Sequence, residues 1–446
     1  MAPTDSSPPT RPIFPRLSGG PQRMSPTEIA DHQRGRLQGA MVEAVARHGF
    51  GATTLRELVA LAGVSRSTFY ENFENKQDCF LATFDTIMGE LEVRVGEAYR
   101  SGDNFRDRLV VALGAFMQTA VEEPAAASLA AVDSLTLGAA AVAHRERASQ
   151  AFEVLIRQSL DPSPSKREVS PTTVRAIVAG IRGVAYRRLR AGHAAELPGT
   201  VEDLADWALG YQLPESEATR RAVAAAEVPQ AVDEERAPEA PGWEEPPDSR
   251  RSRAELSQRE RIVRAAARVV VERGYEALSI PAISGAAGTS NQTFYEHFSS
   301  KRDAFLAAFE ILSGEALRLS TDAYDRQDQA PEAIGAGLRA MLEYVAGNEL
   351  FARLAFFELP TAGPPALDRA DATLDLFTAY LRKTPELGAP LSQTLMDAIP
   401  SAIWAVIQHE IAQGRLATLP EIAPETARIV VASFGPAPRR GRPKAR

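Results

Sequence analysis

A chain of 446 residues has room for two or three domains, and 44% hydrophobic with 24% charged residues is an ordinary globular balance that can bury sizeable cores. The formal net charge of -8 excludes a uniformly basic chain coated in nucleic acid, while leaving local basic faces open. A single cysteine, Cys79, excludes an intrachain disulfide and suits a reducing compartment. No charged-then-apolar leader pattern opens the chain and no apolar run nears the ~18 residues of a membrane span. The expectation is a cytoplasmic protein with no membrane partner.

In chain order, residues 1–24 are rich in Pro, Ser and Thr without an apolar period and read as a disordered arm. Residues 37–48 set Leu37, Met41, Ala44 and Val45 on one helical face. Thr54 then opens a Thr-x-x-Glu capping box with Glu57, and Leu55, Leu58, Val59 and Ala62 give the helix behind it an apolar side. Gly63 ends that helix in a tight turn, and Ser65 offers an N-cap oxygen to a second helix over 66–73. A short helix, a glycine turn and a second capped helix make a helix-turn-helix. The second helix exposes Arg66, Ser67, Thr68, Tyr70 and Asn72, side chains able to reach phosphates and base edges, while Phe69 and Phe73 face inward. Lys76 starts the next helix within reach of a phosphate. Helix-length Ala/Leu-rich segments follow at 105–121 and 172–190. Residues 214–252 carry six prolines and an acidic run and read as an extended linker.

Beyond it the pattern returns. Gly49, Thr68, Phe69, Tyr70, Glu71, Phe73 and Lys76 recur 225 residues later as Gly274, Thr293, Phe294, Tyr295, Glu296, Phe298 and Lys301, with no gap. The same offset relates Leu129 to Leu354 and Phe152 to Phe377, and an offset of 222 relates Leu197-Pro198 to Leu419-Pro420, so the repeat unit is a whole domain pair. Ile262, Ala266, Val269 and Val270 form the apolar face of a helix at 259–273. Ser279 replaces Thr54 as cap, Pro281 sits harmlessly in the first turn, Gly288 makes the turn and Ser290 caps the second helix. Its exposed set is Asn291, Gln292, Thr293, Tyr295 and His297. Asn and Gln pair bidentately with adenine whereas Arg suits guanine, so the two heads are expected to read different half-sites. Further helices are expected at 332–346 and 391–413, and no period-2 strand pattern occurs, so the fold class is all-α.

The segments "AGVSRSTFYENFENKQDCFLATF" and "AGTSNQTFYEHFSSKRDAFLAAF" resemble the signature of the TetR family of transcriptional regulators. The resemblance implies two TetR-like units in tandem, each a three-helix DNA-binding head followed by a helical body that binds a ligand and pairs through its last two helices. The expected layout is a first head at 25–85, a first body at 86–213, a second head at 253–310, a second body at 311–434 and a basic tail at 435–446. The DNA-contacting set it implies is Thr54, Ser65, Arg66, Ser67, Thr68, Tyr70, Asn72 and Lys76, with Ser279, Ser290, Asn291, Gln292, Thr293, Tyr295, His297 and Lys301. For a small hydrophobic effector the candidates are Phe116, Met117, Phe356, Phe357 and Trp404, although aromatic stripes are more often core. Members of the family are usually single units that dimerise. The fusion leaves self-association through the body helices open between an intrachain pseudo-dimer and a homodimer. Repression is the output the resemblance implies.

Other features weigh less. Gly441-Arg442-Pro443 with flanking bases is similar to a minor-groove-binding hook, against the plainer reading of a basic tail attracting phosphates. Cys79 reads as a small buried hydrophobe rather than a redox switch. No phosphate loop, dinucleotide fingerprint, nucleophile elbow or metal-spaced histidine pair occurs, so no catalytic residue, metal or cofactor is expected. The competing reading is a helical interaction or scaffold protein in which one or both heads no longer bind DNA.

Overall fold

The computed structural model describes residues 25–229, 257–383, 387 and 390–434. The expected N-terminal arm, the linker beyond residue 229 and the basic tail with its hook-like motif lie outside the described residues. Among the described residues every regular element is helical, and no helix is long and apolar enough to cross a membrane. The chain divides into two compact units: residues 1–135, 140–155 and 185–201, and residues 136–139, 156–184 and 202–446.

In the first unit, α1 (Pro26–Ala52) starts from a reciprocal capping box of Ser25 and Glu28 and bends at Gly49. Its expected face is the buried one: Leu37 and Met41 are fully enclosed. α2 (Leu55–Ala62) and α3 (Arg66–Asn72) follow, then the long α4 (Lys76–Ser101) and α5 (Phe105–Glu122), which pack along each other. The core is aromatic, with Phe69, Phe80 and Phe84 buried. Buried Gln38 is satisfied across helices, donating from Nε2 to the Ala82 carbonyl and Thr86 Oγ1 at 3.0 and 2.8 Å. α6 (Pro124–Ala131) and most of α7 (Ala139–Ser159) complete the body. Cys79 is fully buried; desolvation first, and the neighbouring Asp78 charge, push its thiol up to about 12, which holds it protonated and inert.

In the second unit, α11 (Gln258–Arg273) has its own Ser257–Glu260 capping box and buries Ile262, Val263, Ala266 and Val270. After it come α12 (Ile280–Ala287), α13 (Asn291–His297), α14 (Lys301–Asp325) and α15 (Ala330–Ala346). The short α16 (Glu349–Arg353) runs into one π-helical turn, Leu354–Glu358, and α17 (Pro364–Thr378), α18 (Gln393–Ala412) and α19 (Ala423–Ala432) close the body.

Two boundaries differ from expectation. The second unit takes in most of α8 (Pro171–Arg190), all of α9 (Val201–Gly210) except Val201, and α10 (Glu217–Glu227). These helices precede the linker, yet they share a core with α15, α18 and α19. Gly180 and Gly183 on α8 bring its backbone against Trp207 and Ser401, with no room for a Cβ at either position. Trp207 Nε1 donates to Ser433 Oγ at 2.8 Å, and the buried Tyr211 hydroxyl donates to the Ile429 carbonyl at 3.0 Å. Arg428 bridges Glu215 at 2.6 Å and Glu425, whose carboxylate also accepts from the Ser170 and Thr173 hydroxyls. The second correction is α10, which stands where an extended linker was expected from residue 214. Ser216 caps it, and its buried face is Thr219, Ala222 and Ala226. The Ala222 carbonyl sits where a side chain at Gly335 would be, and Arg221 pairs with Glu332 at 2.5 Å. No proline falls within Glu217–Glu227; the prolines and the acidic run that suggested a linker stand at 214 and from 229 onward, outside the helix.

Candidate functional site

Each head is built by local chemistry acting over three or four residues. Thr54 Oγ1 accepts from the Glu57 amide at 3.2 Å, and Ser279 Oγ from the Ala282 amide at 3.4 Å. The expected box at Thr54 is only half formed, because the Glu57 carboxylate turns to His48 Nε2 at 3.1 Å. Gly63 and Gly288 end the first helix of each pair in the left-handed region, at φ 60° and 64°, where a side chain would be strained. Ser65 and Ser290 then cap α3 and α13, each hydroxyl accepting from the amide three residues on at 3.0 Å. Phe69 and Phe294 plug these seven-residue helices into the core.

Burial of that face leaves a row of side chains pointing outward. Ser65, Arg66, Ser67 and Tyr70 are exposed in the first head, and Ser290, Asn291, Gln292, Tyr295 and His297 in the second. Tyr70 and Tyr295 stand 55% and 61% exposed, far more than a ring needs if its role is packing alone. Thr54 and Ser279 are also exposed, on the N-cap beside the row. Thr68, Thr293 and Asn72 are half-buried, and the Asn72 amide donates to the Thr68 carbonyl at 2.8 Å, so part of its capacity is spent within the helix.

Lys76 and Lys301 go elsewhere. Lys76 Nζ donates to the Phe50 and Thr53 carbonyls, both at 2.8 Å, and lies 4.2 Å from the Phe50 ring centre. Lys301 Nζ donates to the Leu278 carbonyl at 2.7 Å and lies 5.0 Å from the Tyr275 ring centre. Each ammonium ties off carbonyls where one helix ends and the next begins. Lys76→Met should therefore lower the stability of the first unit by roughly 1–3 kcal/mol, because it strips charged donors from part-buried carbonyls. The salt dependence of DNA binding should be unchanged. Thermal denaturation and a salt titration test this, since losing a phosphate contact would make the salt slope shallower by about 0.9.

Arg34 and Arg259, which stand outside the sequence-derived set, position the second helix of each pair. Arg34 donates to the Asn72 carbonyl at 2.9 Å and stacks over the Phe73 ring, and Arg259 stacks over Phe298. They clamp the C-terminal end of each second helix. Their shared 225-residue offset was the available signal.

The aromatic candidates separate. Phe356 and Trp404 face each other with ring centres 4.1 Å apart, in the wall of a cavity of about 120 Å³ inside the second body. Phe357 is half-buried and is not among the lining residues. Phe116 packs edge-on against Phe152 in a cluster of the first body, and Met117 is fully buried. The π-helical turn reaches the cavity through Phe356. Two residues on, Glu358 Oε2 accepts from the Tyr275 amide at 3.0 Å, at the entry to the second head.

The family "Bacterial regulatory proteins, tetR family" matches residues 40–83 and 262–308, which are the two heads. A curated relative, the HTH-type transcriptional activator FasR of Mycolicibacterium smegmatis, is 39% identical over 83 residues. The match takes in 17% of this chain and 38% of the relative, so it spans well under half of that protein. Among solved structures, the transcriptional regulator FadR from Bacillus subtilis, in complex with stearoyl-CoA, aligns at 14% identity and a TM-score of 0.37, covering 40% of this chain and 97% of its own. FadR from Bacillus halodurans aligns at 15% identity and a TM-score of 0.36, covering 42% and 97%. The two heads are the parts of this chain that are similar to the tetR family.

Proposed function

We propose that this chain is a sequence-specific DNA-binding transcriptional regulator, built from two TetR-like units, that responds to a small apolar effector. The observation that carries the reading is the doubled head: two helix-turn-helices with matching caps, turn glycines and buried phenylalanines, each leaving a row of polar side chains free for base edges. Arg66 in one row and Asn291 with Gln292 in the other favour unlike half-sites. The bodies pair within one chain, a reading supported by the shared core of α8, α9 and α10 with α15, α18 and α19. Fusion keeps each body at high effective concentration for the other. An effector in the Phe356–Trp404 cavity acts by favouring one of two states of the π-helical turn, and Glu358 carries that preference to Tyr275. Such a shift requires different affinity for the two states.

Selection of bound sequences from a random DNA pool, at stated salt, tests the reading. An asymmetric site with two unlike halves is the expected result. A perfect palindrome would mean that one head type reads DNA and two chains pair. No enrichment would sink the DNA reading in favour of a helical interaction protein.

A further inference from the structure

The two bodies descend from one pattern, yet their interiors differ at matched positions. In the second body, Ser313, Ala316 and Ser320 on α14 line the cavity. The residues 225 positions earlier, on α4, are Met88, Leu91 and Val95. Each is bulkier, and all three lie in one packed cluster with Phe116 and Phe152. Position 337 is Gly where the first body has Ala112, and 341 is Met where it has Phe116. The opposite wall runs the other way, with Phe351 and Phe356 against Ala126 and Ala131, so aromatic rings frame the cavity rather than fill it. Polarity differs too: Thr378 lines the cavity, and its counterpart Glu153 is a buried carboxylate. An apolar guest beside Glu153 would displace its surroundings and desolvate the charge further.

The cavity also restricts what it takes. Among the described residues, its lining includes no Asp, Glu, Lys, Arg or His. The hydroxyls of Ser313, Ser320 and Thr378 already donate to the carbonyls of Phe309, Gly337 and Leu374, at 2.7, 2.9 and 3.2 Å. A buried anionic or cationic group would find no countercharge there.

We infer that the duplicated chain keeps a single effector site, in the second body, for a neutral apolar molecule, while the first body has been filled and serves as a fixed support. The inference rests on the effector reading above and adds its stoichiometry and chemistry. The test titrates the full chain with the neutral probe N-phenyl-1-naphthylamine, following probe and tryptophan fluorescence, with the sulfonated 8-anilinonaphthalene-1-sulfonate in parallel. One neutral probe should bind per chain, with the sulfonated one at least tenfold weaker. Ala316→Leu and, separately, Ser320→Val bring in the first body's residues. Each should weaken probe binding at least tenfold without lowering the melting temperature, because each adds apolar volume to a void. In the first body, Ala112→Leu should leave binding unchanged. Two probes per chain, or binding that survives Ala316→Leu and Ser320→Val in a folded chain, would overturn the single-site inference while leaving the effector reading intact. Equal affinity for the sulfonate would overturn the neutral-ligand assignment. No saturable binding of either probe would remove the effector reading and this inference with it.

Discussion

Arg66→Ala is expected to weaken binding to the selected DNA site by about 5- to 150-fold while leaving the fold intact. Arg66 is the first residue of α3, exposed on the outward row beside Tyr70. A bidentate arginine–guanine pair contributes roughly 1–3 kcal/mol of discrimination, which is that range of affinity. Removing an exposed side chain at a helix start should change stability by no more than about 0.5 kcal/mol. The loss should fall on one base pair of one half-site, so sequences altered at that pair lose little more in the variant. Asn291→Ala with Gln292→Ala should produce the matching loss in the other half-site, at an adenine. Fluorescence anisotropy against a panel of single-base variants, at several salt concentrations, measures both. A uniform loss across the panel with a shallower salt slope would reassign Arg66 to a phosphate. Affinity unchanged within twofold would mean that the first head does not read DNA through this row.

Gly183→Val is expected to destabilise the second unit by about 3 kcal/mol or more. Replacing glycine in a helix interior ordinarily favours the helix, by up to about 1 kcal/mol for alanine. Here the sign reverses, because a Cβ at Gly183 would fall on the Ser401 side chain of α18. Overpacking of a close-packed interior commonly costs about 1–3 kcal/mol, and the clash at 183 forces backbone rather than a flexible tip to move. The helices that separate are α8 and α18, and Trp207 of α9 packs against α8 one turn away at Gly180, so its surroundings shift with them. Near-ultraviolet circular dichroism and thermal denaturation should therefore both register the change. Adding Ser401→Gly to the variant should recover part of the loss, giving a coupling of at least about 0.5 kcal/mol in the double-mutant cycle. Additive effects, or a neutral Gly183→Val, would mean that α8 and α18 do not pack as closely as described.

Much of each head could be read before any tertiary structure. A serine or threonine cap reaches an amide three residues away, a turn glycine serves its own φ angle, and Phe69 or Phe294 declares its face by spacing alone. These are interactions within one or two turns of chain, so Thr54, Gly63, Ser65 and their counterparts carry them in the order of letters. The repeat strengthened the reading by presenting the same local rules twice at one offset.

What lay beyond those few residues was decided by packing. Lys76 and Lys301 sit where a phosphate contact is plausible by position, but carbonyls 23 and 26 residues back take the ammonium of Lys76 instead. The α10 helix has a buried face of Thr219, Ala222 and Ala226, and it is held by Gly335 and Glu332 more than a hundred residues on. Phe116 on α5 and Phe356 in the π-helical turn are the same residue type, yet one closes a core and the other opens onto a cavity. A cavity is the volume left over after distant helices have packed. Whether Met88, Leu91 and Val95 or Ser313, Ala316 and Ser320 face the aromatic rings decides whether any is left. The sequence by itself determined the helices, their caps and the two heads, because those depend on neighbours. The tertiary structure alone decided which helices share a core and where an apolar guest fits, because both depend on side-chain volumes brought together from far apart in the chain.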